Sequence, residues 1–317
     1  MWRQNRKWGA NMPLFLCFDI GGTTIKYGVA DGSGRFVEKL TAQNPIKSGG
    51  AGRMLSYIIG RTKDLQTKYD ICGIAVSTAG VVDVKTGSII HGGDNFPGYA
   101  GTRLKEILSE KSGLPCTVEN DVNCAALGEW WLGAAKGKNS AFCITVGTGI
   151  GGCLLIDGKV WHGVSQSAGE LGYMQINGET LEMLASTSRL VKEAADVLEL
   201  SVDEIDGETI FAMAKLGNKK IQELIERQMN YLATGIANVC YLINPEIIVL
   251  GGGIMEERDY LRPLLQHSLE EKLIPLLREK TIMEFAHLGN VAGMAGALYN
   301  FKQCMTKQEE HDGSQNT

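Results

Sequence analysis

The stretch FDIGGTTIKYGVADG, from Phe18 to Gly32, decides how the rest of the chain is interpreted. A second stretch, ITVGTGIGGCLLIDG from Ile144 to Gly158, aligns with it without a gap. Both contain an apolar run, a Gly-rich turn, a second apolar run and an Asp-Gly pair. Each therefore predicts two strands joined by a Gly-rich turn. The two halves of the chain therefore begin with the same predicted unit.

Length and composition agree with this prediction and exclude several classes of protein. A chain of 317 residues is long enough for two domains. The net charge of −5 argues against a nucleic-acid-binding protein, which would carry a basic stripe. The eight cysteines lie mostly in apolar runs and include no CxxC pair, which favours free thiols in a reducing cytoplasm. No apolar run is long enough for a signal peptide or a membrane span, so no membrane partner is expected.

Periodicity predicts the order of the elements. Three strands are expected at 14–20, 25–31 and 36–42, followed by a helix over about 51–69, a buried strand at 72–77 and a helix over 101–113. The second copy begins near residue 140 with another strand pair. Helices follow at 181–198, 219–242 and about 256–273, with a strand before the third of them and a last helix at about 291–302. No Pro-rich linker separates the halves, which favours a cleft between closely joined domains.

The Gly-rich turns are suited to binding phosphate. Backbone N–H groups at such a tip are open to a ligand, because glycine places no side chain in the way. Threonine hydroxyls at Thr23, Thr24 and Thr148 add donors. The alternative is that the turns only close hairpins. The segment GTGIGG at 147–152 also matches a dinucleotide-binding pattern, but a strand follows it instead of a helix, which argues against that site.

Two further features adjoin the expected phosphate site. Asp19 ends a buried strand beside the first turn. Its carboxylate could accept bonds from the turn, or could serve as an outer ligand of Mg²⁺, which prefers carboxylate and phosphate oxygens. The segment VLGGG at 249–253 places three glycines between a strand and a helix, which suits close approach of an adenine or ribose.

The residues that would bind the molecule receiving a phosphate are predicted at the junction of a strand and a helix. Asn120, Asp121 and Asn123 crowd three polar side chains beside apolar runs. An Asp at a helix start is often an N-cap, but the dipole also keeps such a carboxylate ionised and able to accept the proton of an alcohol. Glu170 lies in a Gly-flanked loop and Glu182 at a helix start. Both could be solvated or capping carboxylates, or sugar ligands together with Asn95.

Six segments in this order resemble the ROK sugar kinases: FDIGGTTIKYGV, STAGVVDVKTG, ENDVNCAALGE, VGTGIGGCLLIDG, AGELGYM and NPEIIVLGGGI. The resemblance implies two ribonuclease-H-like domains of the actin-like ATPase type, with mixed sheets flanked by helices and the active site in the cleft between them. The expected domains are residues 12–120 with a C-terminal helix at 290–304, and residues 121–289. ATP and Mg²⁺ are the implied cofactors.

The resemblance also implies roles for individual residues. Asp121 is the expected catalytic base, with the metal ion near Asp19. The expected sugar ligands are Asn95, Asn120, Asp121, Glu170 and Glu182. The expected nucleotide-binding residues are Asp19, Gly21, Gly22, Thr23, Thr24, Lys26, Thr148, Gly149, Gly252 and Gly253.

The implied reaction is ATP-dependent phosphorylation of the 6-hydroxyl of a hexose or N-acetylhexosamine, of the N-acetylmannosamine or glucose type. Many ROK members have a zinc site, but here Tyr173 replaces its histidine and Thr180 its last cysteine, so no zinc is expected. The alternatives are a β-glucoside kinase, a sugar-sensing regulator without kinase activity, and an actin- or Hsp70-like ATPase. A sugar and ATP are the expected partners, and the sequence leaves a homodimer open.

Overall fold

The structure is a computed structural model that describes residues 12–92 and 96–314. Contacts between Cα atoms divide the described chain into two compact units, residues 12–131 with 290–314, and residues 132–289. The predicted domain boundary at residue 121 differs from this division by one helix, which groups with the first unit.

The strands of the described chain begin and end as follows: β1 (Leu14–Ile20), β2 (Thr24–Asp31), β3 (Phe36–Gln43), β4 (Ile71–Thr78), β5 (Val81–Asp83), β6 (Ser88–His91), β7 (Cys116–Asn120), β8 (Ser140–Val146), β9 (Ile150–Ile156), β10 (Lys159–Val160), β11 (Gln175–Ile176), β12 (Glu179–Thr180), β13 (Ile247–Gly251) and β14 (Ile282–Phe285). The α-helices are α1 (Ile46–Lys68), α2 (Leu104–Ser112), α3 (Asp121–Leu132), α4 (Leu181–Ala185), α5 (Thr187–Leu198), α6 (Gly207–Lys215), α7 (Lys219–Ile243), α8 (Arg258–Lys272), α9 (Pro275–Lys280) and α10 (Ala292–Ser314).

The first unit is a five-stranded sheet of order β3-β2-β1-β4-β7 with helices on both faces. Strand β2 runs antiparallel to its neighbours, whereas β4 and β7 are parallel to β1. One face packs against α1, with Phe18 and Met54 fully buried. On the other face, Cys17 packs with Cys124 of α3 and Leu298 of α10. The alternation of apolar side chains in β1 therefore supplies two cores.

The second unit is a five-stranded sheet of order β10-β9-β8-β13-β14. Strands β8 and β9 are antiparallel, and β13 and β14 run parallel to β8. The long helix α7 buries one stripe, including Leu224, Ile225 and Leu232, in the core of this unit. Both units thus contain an antiparallel pair joined by a Gly-rich turn, as the repeated stretch predicts. The predicted fold class, mixed α/β with sheets flanked by helices, is confirmed.

Two helices differ from their predicted form for local reasons. In α1, Gly49 and Gly50 interrupt the helical backbone, and Gly50 has a φ of 66°. The regular helix therefore begins near the predicted residue 51. The predicted helix over 181–198 is two helices, because the Ser186 hydroxyl accepts a hydrogen bond from the backbone N–H of Arg189 and caps α5.

Candidate active site

The first Gly-rich turn, residues 21–24, joins β1 to β2 and is braced by a buried side chain. The Gly21 N–H donates to the Thr24 carbonyl over 2.9 Å. Asn44 Nδ2 donates to the Gly21 carbonyl over 2.8 Å, and the Asn44 N–H donates to the Thr23 carbonyl over 2.7 Å. These bonds satisfy the inner carbonyls of the turn and fix its shape. The Thr23 side chain is exposed at the tip, and Gly22 precedes it.

Asp19 lies beside this turn at the carboxyl end of β1. Ser77 Oγ donates a hydrogen bond of 2.7 Å to Asp19 Oδ1. The N-terminus of α10 packs so closely on the carboxylate that a Cβ at Gly293 would lie 2.7 Å from its Cγ. Burial raises the pKa of Asp19, and the Ser77 hydrogen bond and the charge of Lys26 oppose this rise.

Asp19 suits an outer ligand of a nucleotide-bound Mg²⁺. That ion is usually held by one or two carboxylates with phosphates and water. No group of three or more His, Cys, Asp or Glu side chains in the described ranges 12–92 and 96–314 could hold a metal ion. A single carboxylate beside the predicted phosphate-binding turn is suited to a Mg²⁺ ion that a nucleotide brings.

Lys26 lies opposite Asp19 in the β1–β2 pairing. Its Nζ donates a hydrogen bond of 2.7 Å to Asn290 Oδ1. Asn290 precedes α10, so Lys26 connects the β-hairpin to the start of that helix. In this structure the Lys26 ammonium group therefore bonds to Asn290 at the edge of the predicted nucleotide site.

Two adjacent side chains accept backbone N–H groups at the start of α3: Asn120, and the predicted base Asp121, whose Oδ1 accepts the Val122 N–H over 2.9 Å. Asn120 Oδ1 accepts the N–H groups of Val122 and Asn123, at 2.9 and 3.1 Å, and so caps the helix. Asn120 Nδ2 donates to the Gly80 carbonyl and to Asp121 Oδ1, each over 3.0 Å. Asp121 is the first residue of α3 and shares the Val122 N–H with Asn120, and the helix dipole favours the ionised form of a carboxylate at this position.

In the second unit, the turn at Gly147–Gly149 contacts Glu182. The Gly147 N–H donates to the Gly149 carbonyl over 2.9 Å. Glu182 Oε2 accepts the Ile150 N–H over 3.0 Å, and a Cβ at Gly149 would clash with the same carboxylate. A predicted sugar ligand and a predicted nucleotide-binding turn are therefore in contact within one unit. The Thr148 side chain is exposed at the tip of the turn.

The third glycine cluster borders the same turn. Gly251 pairs with Thr145 at the carboxyl ends of β13 and β8. The next residue, Gly252, has a φ of 105°, and a Cβ there would lie 2.6 Å from the carbonyl carbon of Val146. The carboxyl ends of parallel strands are the usual ligand-binding edge of an α/β sheet. The structure thus brings together four predicted nucleotide-binding residues, Thr148, Gly149, Gly252 and Gly253.

Glu170 is exposed in a loop that packs tightly on β9. The backbones of Gly169 and Gly152 are in close contact, and Gly169 has a φ of 94°, so both positions require glycine. The Tyr173 side chain, at the position where the family resemblance predicts a histidine, is 71% exposed. The Thr180 hydroxyl accepts a hydrogen bond from the Met183 N–H and caps α4.

Some residues that bear on the predicted site were not predicted, and one predicted residue lies outside the described chain. Asn95, a predicted sugar ligand, lies outside the described residues. Asn44, Ser77 and Glu119 were not predicted, although each makes hydrogen bonds to a predicted residue. Only Glu119 had a signal in the sequence, as the acid that directly precedes Asn120 and Asp121. No helix within the described residues is both long and apolar enough to cross a membrane.

Comparison with known proteins places the chain among kinases of similar length. The model of the ROK family matches residues 15–304. A β-glucoside kinase of Listeria monocytogenes is 35% identical over 92% of this chain and 98% of its own. A Listeria monocytogenes structure, described as that of a proposed N-acetylmannosamine kinase, is 34% identical, with a TM-score of 0.81 over 92% of this chain and 99% of its own. A Streptomyces griseus glucokinase bound to glucose and AMPPNP is 28% identical, with a TM-score of 0.76 over 90% of this chain and 98% of its own.

Proposed function

The chain belongs to the ROK family and is a sugar kinase, and from this premise we propose that it phosphorylates the 6-hydroxyl of a hexose or N-acetylhexosamine with ATP. The observation that carries the proposal is the geometry at the start of α3. Asn120 caps the helix, and Asp121 is held at its first position. A carboxylate in this setting suits a base that orients a hydroxyl and accepts its proton.

Residues of each unit have a proposed part in the reaction. Asp121 accepts the proton as the sugar oxygen forms a bond to the γ-phosphorus and the bond to the β-phosphate oxygen breaks, releasing ADP. Asn120 orients the sugar beside it, together with Glu170, Glu182 and Asn95. The N–H groups and hydroxyls of the Gly21–Thr24 turn hold the phosphates.

The remaining nucleotide contacts are proposed for the second unit. Thr148 and Gly149 bind phosphate oxygens, and Gly252 and Gly253 allow the nucleoside to lie against the backbone. Mg²⁺ bound with the nucleotide would neutralise charge on the transferred group, with Asp19 holding its water ligands. Ser77 orients the Asp19 carboxylate for this role by donating a hydrogen bond to its Oδ1.

A screen of acceptor sugars tests the proposal. ADP release is measured with glucose, mannose, N-acetylmannosamine, N-acetylglucosamine and cellobiose, and the position of the phosphate is read by NMR. We expect one hexose or N-acetylhexosamine to give a 6-phosphate. Efficient turnover of cellobiose alone would favour the β-glucoside alternative, and phosphorylation at another carbon would contradict the proposed position.

A further inference from the structure

A row of three polar side chains crosses the first sheet below the starts of two helices. Asp19, Ser77 and Glu119 are register partners on β1, β4 and β7. Register partners on parallel strands point to the same face, here the face covered by α3 and α10. Asp19 lies against the start of α10, and Glu119 precedes α3 by two residues. Each of the two helix starts therefore has a carboxylate of the row beside it.

Glu119 is the member of this row that the proposed reaction does not use. Its side chain is 1% exposed. Oε1 accepts the backbone N–H of Asn120 over 2.8 Å and Nδ2 of Asn123 over 2.9 Å. One oxygen thus holds two points of the first turn of α3, one on each side of Asp121. Burying a carboxylate is costly unless it is hydrogen-bonded, and these two hydrogen bonds offset part of that cost.

We propose that Glu119 is a positioning residue for the acceptor sugar, fixing Asn120 and Asp121 through these two hydrogen bonds. The inference rests on the proposed function of Asp121. Asn120 transmits the constraint, because its side chain bonds to Asp121 Oδ1, to the Gly80 carbonyl and to two N–H groups of α3. If Oε1 is removed, the Asn120 backbone and the Asn123 side chain lose their common acceptor, and the helix start shifts.

The test compares three variants of the full chain. Glu119→Ala removes the acceptor of both hydrogen bonds, and we expect kcat to fall by about 10²-fold, as for a base displaced by about 1 Å. Glu119→Gln keeps an oxygen at Oε1, and we expect it to retain kcat within about threefold because both hydrogen bonds can re-form. Thr117→Val is the matched control. Thr117 lies on the same face of β7, and its buried Oγ1 has no partner among the described residues, so the wild-type kcat is expected.

A second readout does not depend on kinase activity. Amide hydrogen exchange at Val122 and Asn123 reports whether the first turn of α3 is held. We expect Glu119→Ala to accelerate exchange there by about 10-fold or more and Thr117→Val to leave it unchanged. If Glu119→Ala accelerates exchange but the wild-type chain phosphorylates no sugar, Glu119 still holds the start of α3. The proposed function is then refuted, and the structural role of Glu119 is not. Unchanged exchange would refute the positioning, whatever the activity.

The values of kcat and sugar KM test whether holding the start of α3 matters for the reaction. A folded Glu119→Ala with wild-type kcat and sugar KM would overturn the proposal, and so would a Glu119→Gln as impaired as Glu119→Ala. If Glu119→Ala fails to fold, Asn123→Ala takes its place, because it removes one of the two bonds to Oε1. We then expect kcat to fall by about 10-fold, and an unchanged kcat would overturn the proposal.

Discussion

Replacement of Gly252 by alanine tests whether the two glycine turns of the second unit depend on each other. Gly252 has φ 105° and ψ 165°, a conformation found almost only in glycine and costing other residues about 1–3 kcal/mol. The new Cβ would lie 2.6 and 2.7 Å from the carbonyl carbon and nitrogen of Val146. Since ordinary contact begins at 3.4 Å, the backbones must separate by at least about 0.8 Å. Together these effects predict that Gly252→Ala lowers the free energy of unfolding by about 2–4 kcal/mol.

The assays are thermal unfolding and the KM for ATP. A loss of stability of this size lowers the midpoint temperature for thermal unfolding of the second unit by roughly 5–15 °C. The KM for ATP should rise, because Val146 leads directly into the turn that carries Thr148. Gly253→Ala is the control for stability, since Gly253 has no positive φ and no atom of another described residue, its chain neighbours aside, lies within 4 Å of its Cβ position. A Gly252→Ala chain that unfolds within about 1 °C of wild type would refute this reasoning.

Three further predictions concern buried groups and metal. Gln228→Leu should raise the free energy of unfolding by about 1–3 kcal/mol in urea titration, because both amide atoms of Gln228 are buried without a partner among the described residues; a loss would refute this. Burial raises the pKa of Asp19, so its contribution to stability is present at acidic pH and is lost as pH rises through that raised pKa. Asp19→Asn should therefore be more stable than wild type at neutral pH, with a difference that shrinks toward pH 4, and the opposite trend would contradict the assigned cause. Elemental analysis should find less than about 0.1 zinc per chain, and one zinc per chain would show that the region of Tyr173 was misinterpreted.

Local patterns in the sequence predicted most of the fold. The strand 14–20 was predicted with its observed bounds, because turn residues flank a continuous apolar run. The repeated stretch predicted two antiparallel pairs joined by Gly-rich turns, and both are present. The break at Ser186 was missed, because the apolar periodicity continues across it and only the capping hydrogen bond shows the new helix start.

The supporting residues of the site could not be predicted, because their partners are distant in sequence. Asn44 braces a turn 23 residues earlier, and Ser77 bonds to an acid 58 residues earlier. Such contacts depend on strand register, which the sequence alone does not fix for a parallel pair. By contrast, Asn120 and Asp121 were predicted as a pair, and the structure assigns the cap to Asn120. Asp121 Oδ1 also accepts the Val122 N–H, a sharing between two adjacent side chains that the sequence does not show.

The role of Asp121 as the base is tested by comparing Asp121→Asn with the wild-type chain, using the sugar that gives the fastest ADP release. Turnover is measured together with sugar binding by calorimetry. We expect kcat to fall by about 10²–10⁴-fold and the dissociation constant of the sugar to change by no more than a few-fold, because the amide still hydrogen-bonds the hydroxyl but does not accept its proton. Undiminished turnover in Asp121→Asn would contradict the central claim that this carboxylate is the base.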